Sequence, residues 1–236
     1  MATLLAGIAG LLLAGVIWRL ARRQANRVPL VANARAGSIA AWLPLWGFGT
    51  SRVDEDSGEL RSPWQAIFEI GAAAYFAVLG WRFGLSFDLL MIICFSIPLL
   101  VIGLVDLWTR LIHTNVIFLG VALGWSFAAV DGARSLLDSV LGMIIGGGVF
   151  IFFFVAAILI YRNIKVVPFG LGDVYLAAMI GAMVRADLVM RALVIGIFLA
   201  GIILAALLAA RVLSRKQAVA YGPYLCLGAL ATLMLS

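Results

Sequence analysis

Long apolar runs recur along almost the whole of this 236-residue chain, and they limit its possible folds more than any other feature. Hydrophobic residues make up 65% of the chain and charged residues only 12%. A water-soluble domain contains about 45–50% apolar and about 25% charged residues. The mean hydropathy of +1.15 leaves too little polar surface to cover a globule in water. The composition therefore excludes a soluble domain and a disordered chain, and it indicates an integral membrane protein.

The apolar runs predict about eight helices in a bilayer whose hydrocarbon core is roughly 30 Å thick. No run alternates between apolar and polar residues, so helices are the only structure that satisfies the backbone groups in lipid. The predicted fold class is all-α, a polytopic membrane helix bundle. The predicted segments are about 2–20, 64–82, 86–105, 114–131, 136–161, 173–184, 188–210 and 218–235.

The positions of the basic residues predict how the chain is oriented. Thirteen of the 17 Lys and Arg residues fall in one set of loops, and only Arg82, Arg134, Arg185 and Arg191 fall in the opposite set. Cytoplasmic loops collect basic residues, so the first set is predicted to be cytoplasmic and both termini to lie outside. The same reasoning attributes the net charge of +6 to topology rather than to nucleic-acid binding. The first segment has its basic cluster after it, which indicates an anchor rather than a cleaved signal peptide.

Three parts of the chain are predicted: a first transmembrane helix at 1–20, a cytoplasmic loop at 21–63, and a seven-helix membrane domain at 64–236. The loop contains no cysteine and therefore no CxxC pair. Cys94 and Cys226 are the only cysteines, and each lies in an apolar run far from the other. This spacing excludes a disulfide scaffold and a cysteine-ligated zinc site.

Three acidic residues, Glu69, Asp106 and Asp173, lie at the membrane boundary, whereas the other acids of the chain fall in loops or beside outward-facing loops. A carboxylate in or near the membrane is costly and suggests a function. Asp106 ends the third predicted segment and Asp173 opens the sixth. The orientation derived from Lys and Arg alone places both aspartates on the cytoplasmic side at the same depth, which predicts a shared site.

Two carboxylates that lie close together cannot both ionise easily, so one keeps a proton. An aspartyl protease uses this division, because the ionised acid draws a proton from water while the protonated acid polarises the scissile carbonyl. Gly170 and Gly172 are expected to adopt backbone geometry closed to other residues and to let an extended substrate approach. Taken singly, Asp173 is interpreted as a helix N-cap and Asp106 as the partner of Arg110, but their matched depth favours a shared site.

The motifs that surround the two aspartates resemble those of a known family. Residues 170–173 read Gly-Leu-Gly-Asp, which resembles the GxGD motif of membrane aspartyl proteases. The stretch 173–182 is similar to bacterial type IV prepilin peptidases, and 105–112 resembles the stretch that carries their first catalytic aspartate. Residues 221–229 resemble their FGPYLALGA-like segment, and Glu69 resembles the glutamate that opens their second span. The likeness covers about 64–236, with the motifs in the family's order.

The resemblance implies an inner-membrane aspartyl endopeptidase that cleaves the short basic leader of prepilin-like or pseudopilin substrates at the cytoplasmic face. It implies no metal and no cofactor for proteolysis; the implied partners are the substrate proteins and membrane lipid, with no nucleic acid. The implied catalytic residues are Asp106 and Asp173. The implied substrate-binding or supporting residues are Gly170, Gly172, Glu69, Arg110 and Pro223.

The sequence also departs from the family pattern. The first loop has no CxxC pairs, so a zinc-bound subdomain is not expected, and Tyr175 stands where the family has Lys. Residues 112–115 read Ile-His-Thr-Asn in place of the usual Ile-Pro-Asn. These departures put in doubt the second activity of some members, N-methylation of the new amino terminus with S-adenosylmethionine. His113, the only histidine, is expected to contact lipid headgroups or the start of a helix.

Two functions from other classes stay open as alternatives. A proton-coupled transporter could use the same acids as a relay, but it predicts deeper acids and broken helices near the midplane. A non-catalytic subunit of a pilus or secretion assembly would tolerate Asp→Asn at either site. A zinc metalloprotease fits poorly, because the chain has no HExxH motif.

Overall fold

The computed structural model describes residues 2–26, 63–160, 170–211 and 220–236, and throughout these ranges the regular secondary structure is helical. Most of the predicted loop 21–63 lies outside the described residues. The helices are α1 (Ala2–Asn26), α2 (Pro63–Phe83), α3 (Phe87–Thr109), α4 (Thr114–Asp131), α5 (Ala133–Ile160), α6 (Leu171–Ala209) and α7 (Gly222–Leu235).

The predicted fold class, a polytopic helical membrane bundle, is confirmed. Five of the described helices, α1, α3, α4, α5 and α6, are long and apolar enough to cross a membrane. Their outward faces carry large apolar side chains, for example Leu12, Phe118 and Phe152, each more than two-thirds exposed. Such side chains are stable outside the bundle only where lipid surrounds them. The number of spans and the placement of both termini outside stay predictions.

A kink lies within the predicted boundary between the sixth and seventh segments. Segments 173–184 and 188–210 are two helical parts, together named α6, that meet at a kink where Arg185 has φ 69° and ψ 175°. The guanidinium of Arg185 donates hydrogen bonds to Asp131 Oδ2 at 3.2 Å and to Ser135 Oγ at 3.0 Å. These contacts with α4 and α5 hold the arginine in a sparsely populated backbone conformation. The helix therefore changes direction without a connecting loop.

The predicted end of the third segment at residue 105 is wrong. Helix α3 continues to Thr109 and ends at Arg110, which has left-handed φ 55° and ψ 27° and donates its N–H to the Asp106 carbonyl at 2.9 Å. The apolar run stops at Val105, but the helix continues through Leu107 and Trp108, and Trp108 packs on the core. Asp106 consequently lies in the last turn of α3, at the end of the third segment as predicted.

Helices α5 and α6 approach closely at two glycines of α5, Gly142 and Gly146. A Cβ on Gly142 would collide with the carbonyl oxygen of Gly181, and one on Gly146 would collide with that of Ala177. Ser139 Oγ on α5 also donates to the Ala182 carbonyl at 2.5 Å. Small residues let two membrane helices come into backbone contact, which gives both dispersion and hydrogen bonds. This packing fixes the first half of α6 against α5.

Helix α7 packs between α3 and the second half of α6. A Cβ on Gly228 would collide with the Ala192 carbonyl, and one on Gly103 of α3 would lie 3.6 Å from Cys226 Cβ. At the far end of α7, Arg82 donates hydrogen bonds to the carbonyls of Met234 and Leu235 at 2.6 and 3.1 Å. These carbonyls have no partner within their own helix, so Arg82 caps α7 at that end of the bundle.

Candidate active site

Asp106 is buried in the last turn of α3, with 4% of its surface exposed. Its Oδ2 accepts the backbone N–H of Gly222 at 3.1 Å. Gly222 is the first residue of α7, so its N–H is one of the amides that have no partner within the helix. The positive end of the helix dipole favours a carboxylate at this place. The start of α7 therefore satisfies and orients the Asp106 carboxyl.

Gly222 is a site residue that the sequence analysis did not single out. A Cβ at this position would lie 2.5 Å from Asp106 Oδ2 and 3.1 Å from its Cγ. With any side chain larger than hydrogen at position 222, the Asp106 carboxyl group would have to leave the position that it has here. The sequence feature that could have identified Gly222 is its position directly before Pro223, which was predicted to support the site. Pro223 lies in the first turn of α7, where the N–H that proline lacks would have no partner within the helix.

Asp173 is buried in the first turn of α6, with 9% of its surface exposed. Its Oδ2 accepts the N–H of Gly170 at 3.1 Å, and its own N–H donates to the Gly170 carbonyl at 3.1 Å. This reciprocal pair ties the residue before the helix to the third residue within it. Gly170 is the N-cap, so the interpretation of Asp173 itself as the N-cap is wrong, although its side chain does satisfy an amide at the helix start.

The expected backbone role of the two glycines is also wrong. Gly170 has φ −96° and ψ 155°, which any residue can adopt, and Gly172 does not have positive φ. What restricts Gly172 is space, because a Cβ on it would lie 3.3 Å from the Cβ of Ile112. Ile112 follows the end of α3, so this contact holds the start of α6 against the segment that leaves α3.

The structure brings Asp106 and Asp173 to the same end of the helix bundle. The end of α3 meets α7 through Asp106 and Gly222, and it meets α6 through Ile112 and Gly172. The two carboxyl groups are near enough for the charge of Asp173 to act on Asp106, and both act on the buried thiol of Cys226. Two buried acids thus share one small region where three helix termini converge.

The remaining predicted residues lie at different distances from this pair. Arg110 ends α3 one turn beyond Asp106 and is within electrostatic range of its carboxylate. Pro223 packs against α3, with its Cα 3.8 Å from the position of a Cβ on Gly103. Glu69 on α2 faces α1, where its Oε1 lies 3.7 Å from the position of a Cβ on Gly15. The described contacts therefore link Glu69 to α1.

His113 is the N-cap residue of α4, as expected from its placement at a helix start. Its side chain makes no capping hydrogen bond, and its Nδ1 is buried with no partner among the described residues. Within the same part of the chain, no group of three His, Cys, Asp or Glu side chains is arranged to hold a metal ion.

The comparison with protein families is consistent with a multi-pass helical membrane protein that has two buried acids. The model of the type IV leader peptidase family matches residues 93–210, half of the chain. The chain belongs to this family, so it is a type IV leader peptidase-like membrane protease. The matched range contains Asp106 and Asp173, whereas Glu69 and α7 lie outside it. Neither a curated protein nor a solved structure matched the chain.

Proposed function

We propose that this protein is an aspartyl endopeptidase that removes the short basic leader from type IV prepilin-like or pseudopilin substrates. Cleavage takes place at the cytoplasmic face of the bacterial inner membrane. The observation that carries the proposal is the buried pair Asp106 and Asp173 at one end of the bundle, where each carboxyl group is held by a backbone N–H at a helix start.

The two acids share one proton in the resting site. The ionised aspartate takes a proton from a water molecule as the water oxygen attacks the scissile carbonyl carbon. The protonated aspartate gives its proton to the carbonyl oxygen, which forms a tetrahedral diol. Collapse of the diol breaks the C–N bond and moves a proton to the departing nitrogen. The products are the leader with a new carboxyl group and the mature protein with a new amino terminus.

The contacts of the two acids suit this chemistry. Each acid accepts its backbone hydrogen bond through Oδ2, so the bond orients the group while its Oδ1 is directed elsewhere. Fixed orientation lowers the entropy lost on reaching the transition state. The burial of both acids strengthens their mutual interaction, because a low-dielectric site screens charge poorly. A substrate with a basic leader and an apolar helix fits an acidic site at the edge of a bilayer.

Cleavage of a co-expressed panel of prepilin-type substrates in membranes tests the proposal. We expect Asp106→Asn and Asp173→Asn each to lower the cleavage rate by about 10²–10⁴-fold, because an amide can neither take nor give the catalytic proton. Asp88→Asn on α3 and Asp187→Asn on α6 are matched controls, because both acids are exposed and lie on the same two helices. Both controls should cleave at the wild-type rate.

Each variant must first be shown to accumulate in the membrane at the wild-type level. An Asn variant of either dyad residue that still cleaves at the wild-type rate contradicts the two-aspartate mechanism. A wild-type protein that cleaves no substrate but conducts protons in liposomes supports the transporter alternative. The mass of the new amino terminus shows in the same experiment whether a methyl group from S-adenosylmethionine has been added.

A further inference from the structure

Two tryptophan rings meet where α1 packs against the last turn of α3. Trp18 of α1 and Trp108 of α3 lie with their ring centroids 5.0 Å apart in a T-shaped arrangement, a geometry that aromatic pairs prefer. The ring of Trp18 also contacts that of Phe68 on α2 at 5.7 Å, and the guanidinium of Arg22 lies 6.0 Å from its centroid. Trp18 is buried. Neighbours on α1, α2 and α3 therefore fix its ring in place.

Trp108 lies in the same helical turn as Asp106 but on the opposite face. Two residues that are two positions apart in a helix point about 200° away from each other. The contacts agree with this geometry, because Asp106 Oδ2 accepts the Gly222 N–H of α7 while the Trp108 ring meets Trp18 of α1. The last turn of α3 is therefore held by α7 on one face and by α1 on the other.

This turn depends on such contacts because its sequence forms a helix only weakly. Residues 106–109 read Asp-Leu-Trp-Thr. Asp, Trp and Thr have lower helix propensities than Ala or Leu, and helix ends fray. One backbone hydrogen bond closes the turn, from the N–H of Arg110 to the carbonyl of Asp106 at 2.9 Å. The packing of Trp108 therefore stabilises the turn whose first residue is the buried acid.

We propose that Trp18 is a positioning residue that acts through Trp108 to hold Asp106 in place for cleavage. The inference rests on the proposed function and extends it to α1, which lies outside the residues 93–210 that the family model matches. With the Trp18 ring present, the last turn of α3 stays formed and the Asp106 carboxyl stays bonded to the Gly222 amide. Without the ring, the turn frays and the carboxyl group loses its fixed orientation.

Hydrogen–deuterium exchange of the Arg110 amide measures directly whether the last turn of α3 stays formed. Trp18→Ala removes the ring, whereas Trp18→Phe keeps an aromatic ring against Trp108. We expect the amide to exchange about 10-fold faster in Trp18→Ala, because the loss of an aromatic contact shifts a local opening equilibrium by about this factor. In Trp18→Phe the amide should exchange at nearly the wild-type rate.

The kinetics of cleavage measure the consequence for the acid. In Trp18→Ala we expect kcat to fall by about 10-fold or more, since a displacement near 1 Å in a catalytic group costs up to about 10²-fold. KM should change little, because the lost contact lies behind the acid and is made with α1 rather than with the substrate. Trp18→Phe should recover most of kcat. A loss of folded protein alone would not give faster exchange at Arg110 together with a lower kcat per folded molecule.

Phe76→Ala is the matched control. Phe76 of α2 is buried, and its Cβ lies 2.7 Å from the position of a Cβ on Gly10 of α1. It packs the same two helices about 12 Å along α2 from Phe68, away from the end of α3. The control should lower Tm but leave both kcat and the exchange rate at Arg110 unchanged. If Trp18→Ala does not accumulate in the membrane, Trp18→Leu removes the ring, keeps more of its volume and serves the same comparisons.

The outcomes separate this inference from the proposed function. A wild-type protein that cleaves, with unchanged exchange at Arg110 and unchanged kcat in Trp18→Ala, overturns the role of Trp18 alone. Equal changes in Trp18→Ala and Phe76→Ala also overturn it, since they would show a general effect of loosening α1 from α2. A wild-type protein that cleaves no substrate contradicts the proposed function. Faster exchange in Trp18→Ala would in that case still support the role of Trp18 in holding the turn that carries Asp106.

Discussion

At the residue scale, the site depends on two carboxyl groups that backbone amides hold in place. Asp106 lies at the end of one helix and is bonded to the start of another, while Asp173 is bonded to the residue that caps its own helix. These hydrogen bonds to fixed amide dipoles replace the hydrogen bonds that water would make to the carboxyl groups. They therefore orient each buried acid and reduce the free-energy cost of burying it. Gly222 is central here, because its lack of a side chain is what lets Asp106 reach the amide.

Gly222→Ala tests this contact directly. The added Cβ would lie 2.5 Å from Asp106 Oδ2, so the carboxyl group must turn away from the Gly222 amide. We expect kcat to fall by about 10²-fold, since a displacement near 1 Å in a catalytic group has an effect of this order. The rate of cleavage by purified protein in bilayers provides the measurement.

Gly201→Ala is the control for the effect of alanine in a membrane helix, because a Cβ at Gly201 would meet nothing within 4 Å. It should retain wild-type kcat. Equal rates for Gly222→Ala and the wild type would show that the Asp106 orientation seen here does not matter for cleavage.

At the element scale, the positions of the helices could largely be predicted from the sequence, but the contacts where helices end or change direction could not. The apolar runs located the helices because each lipid-facing helix must be apolar over its length. The last turn of α3 was missed, because the apolar run ends at Val105 although the helix continues to Thr109. The break between residues 184 and 188 was predicted, but the contacts that hold Arg185 there were not. Arg185 bends α6 through groups on α4 and α5, and no pattern local to residues 184–188 reveals those partners.

Gly146→Ala should separate α5 from the first half of α6. Its Cβ would collide with the Ala177 carbonyl, which is backbone and cannot move without moving the helix. We expect a loss of about 1–3 kcal/mol in unfolding free energy, the usual range for overpacking. Thermal unfolding in detergent measures it as a lower Tm. Gly148→Ala on the same helix meets nothing within 4 Å and should leave Tm unchanged or raise it slightly; a similar fall in both variants would contradict the account of the packing.

At the scale of the whole molecule, the helix termini that hold the two acids lie at one end of the bundle. The end of α3 and the starts of α6 and α7 carry the acids, while Arg82 caps α7 at the opposite end. The distribution of Lys and Arg predicted that Asp106 and Asp173 share one side, because topology is encoded in loop charge. The contact between Asp106 and Gly222 could not be predicted, because the two residues are 116 positions apart and a single sequence does not show which distant residues are in contact.

The central claim is that Asp106 and Asp173 act as one unit, and the most direct test compares Asp106→Asn, Asp173→Asn and the double variant. Residues that act as a unit show strongly non-additive losses. We predict that the double variant cleaves a purified prepilin-type substrate at the same residual rate as either single variant. Losses that multiply in the double variant, or a single variant that keeps the wild-type rate, would contradict the account.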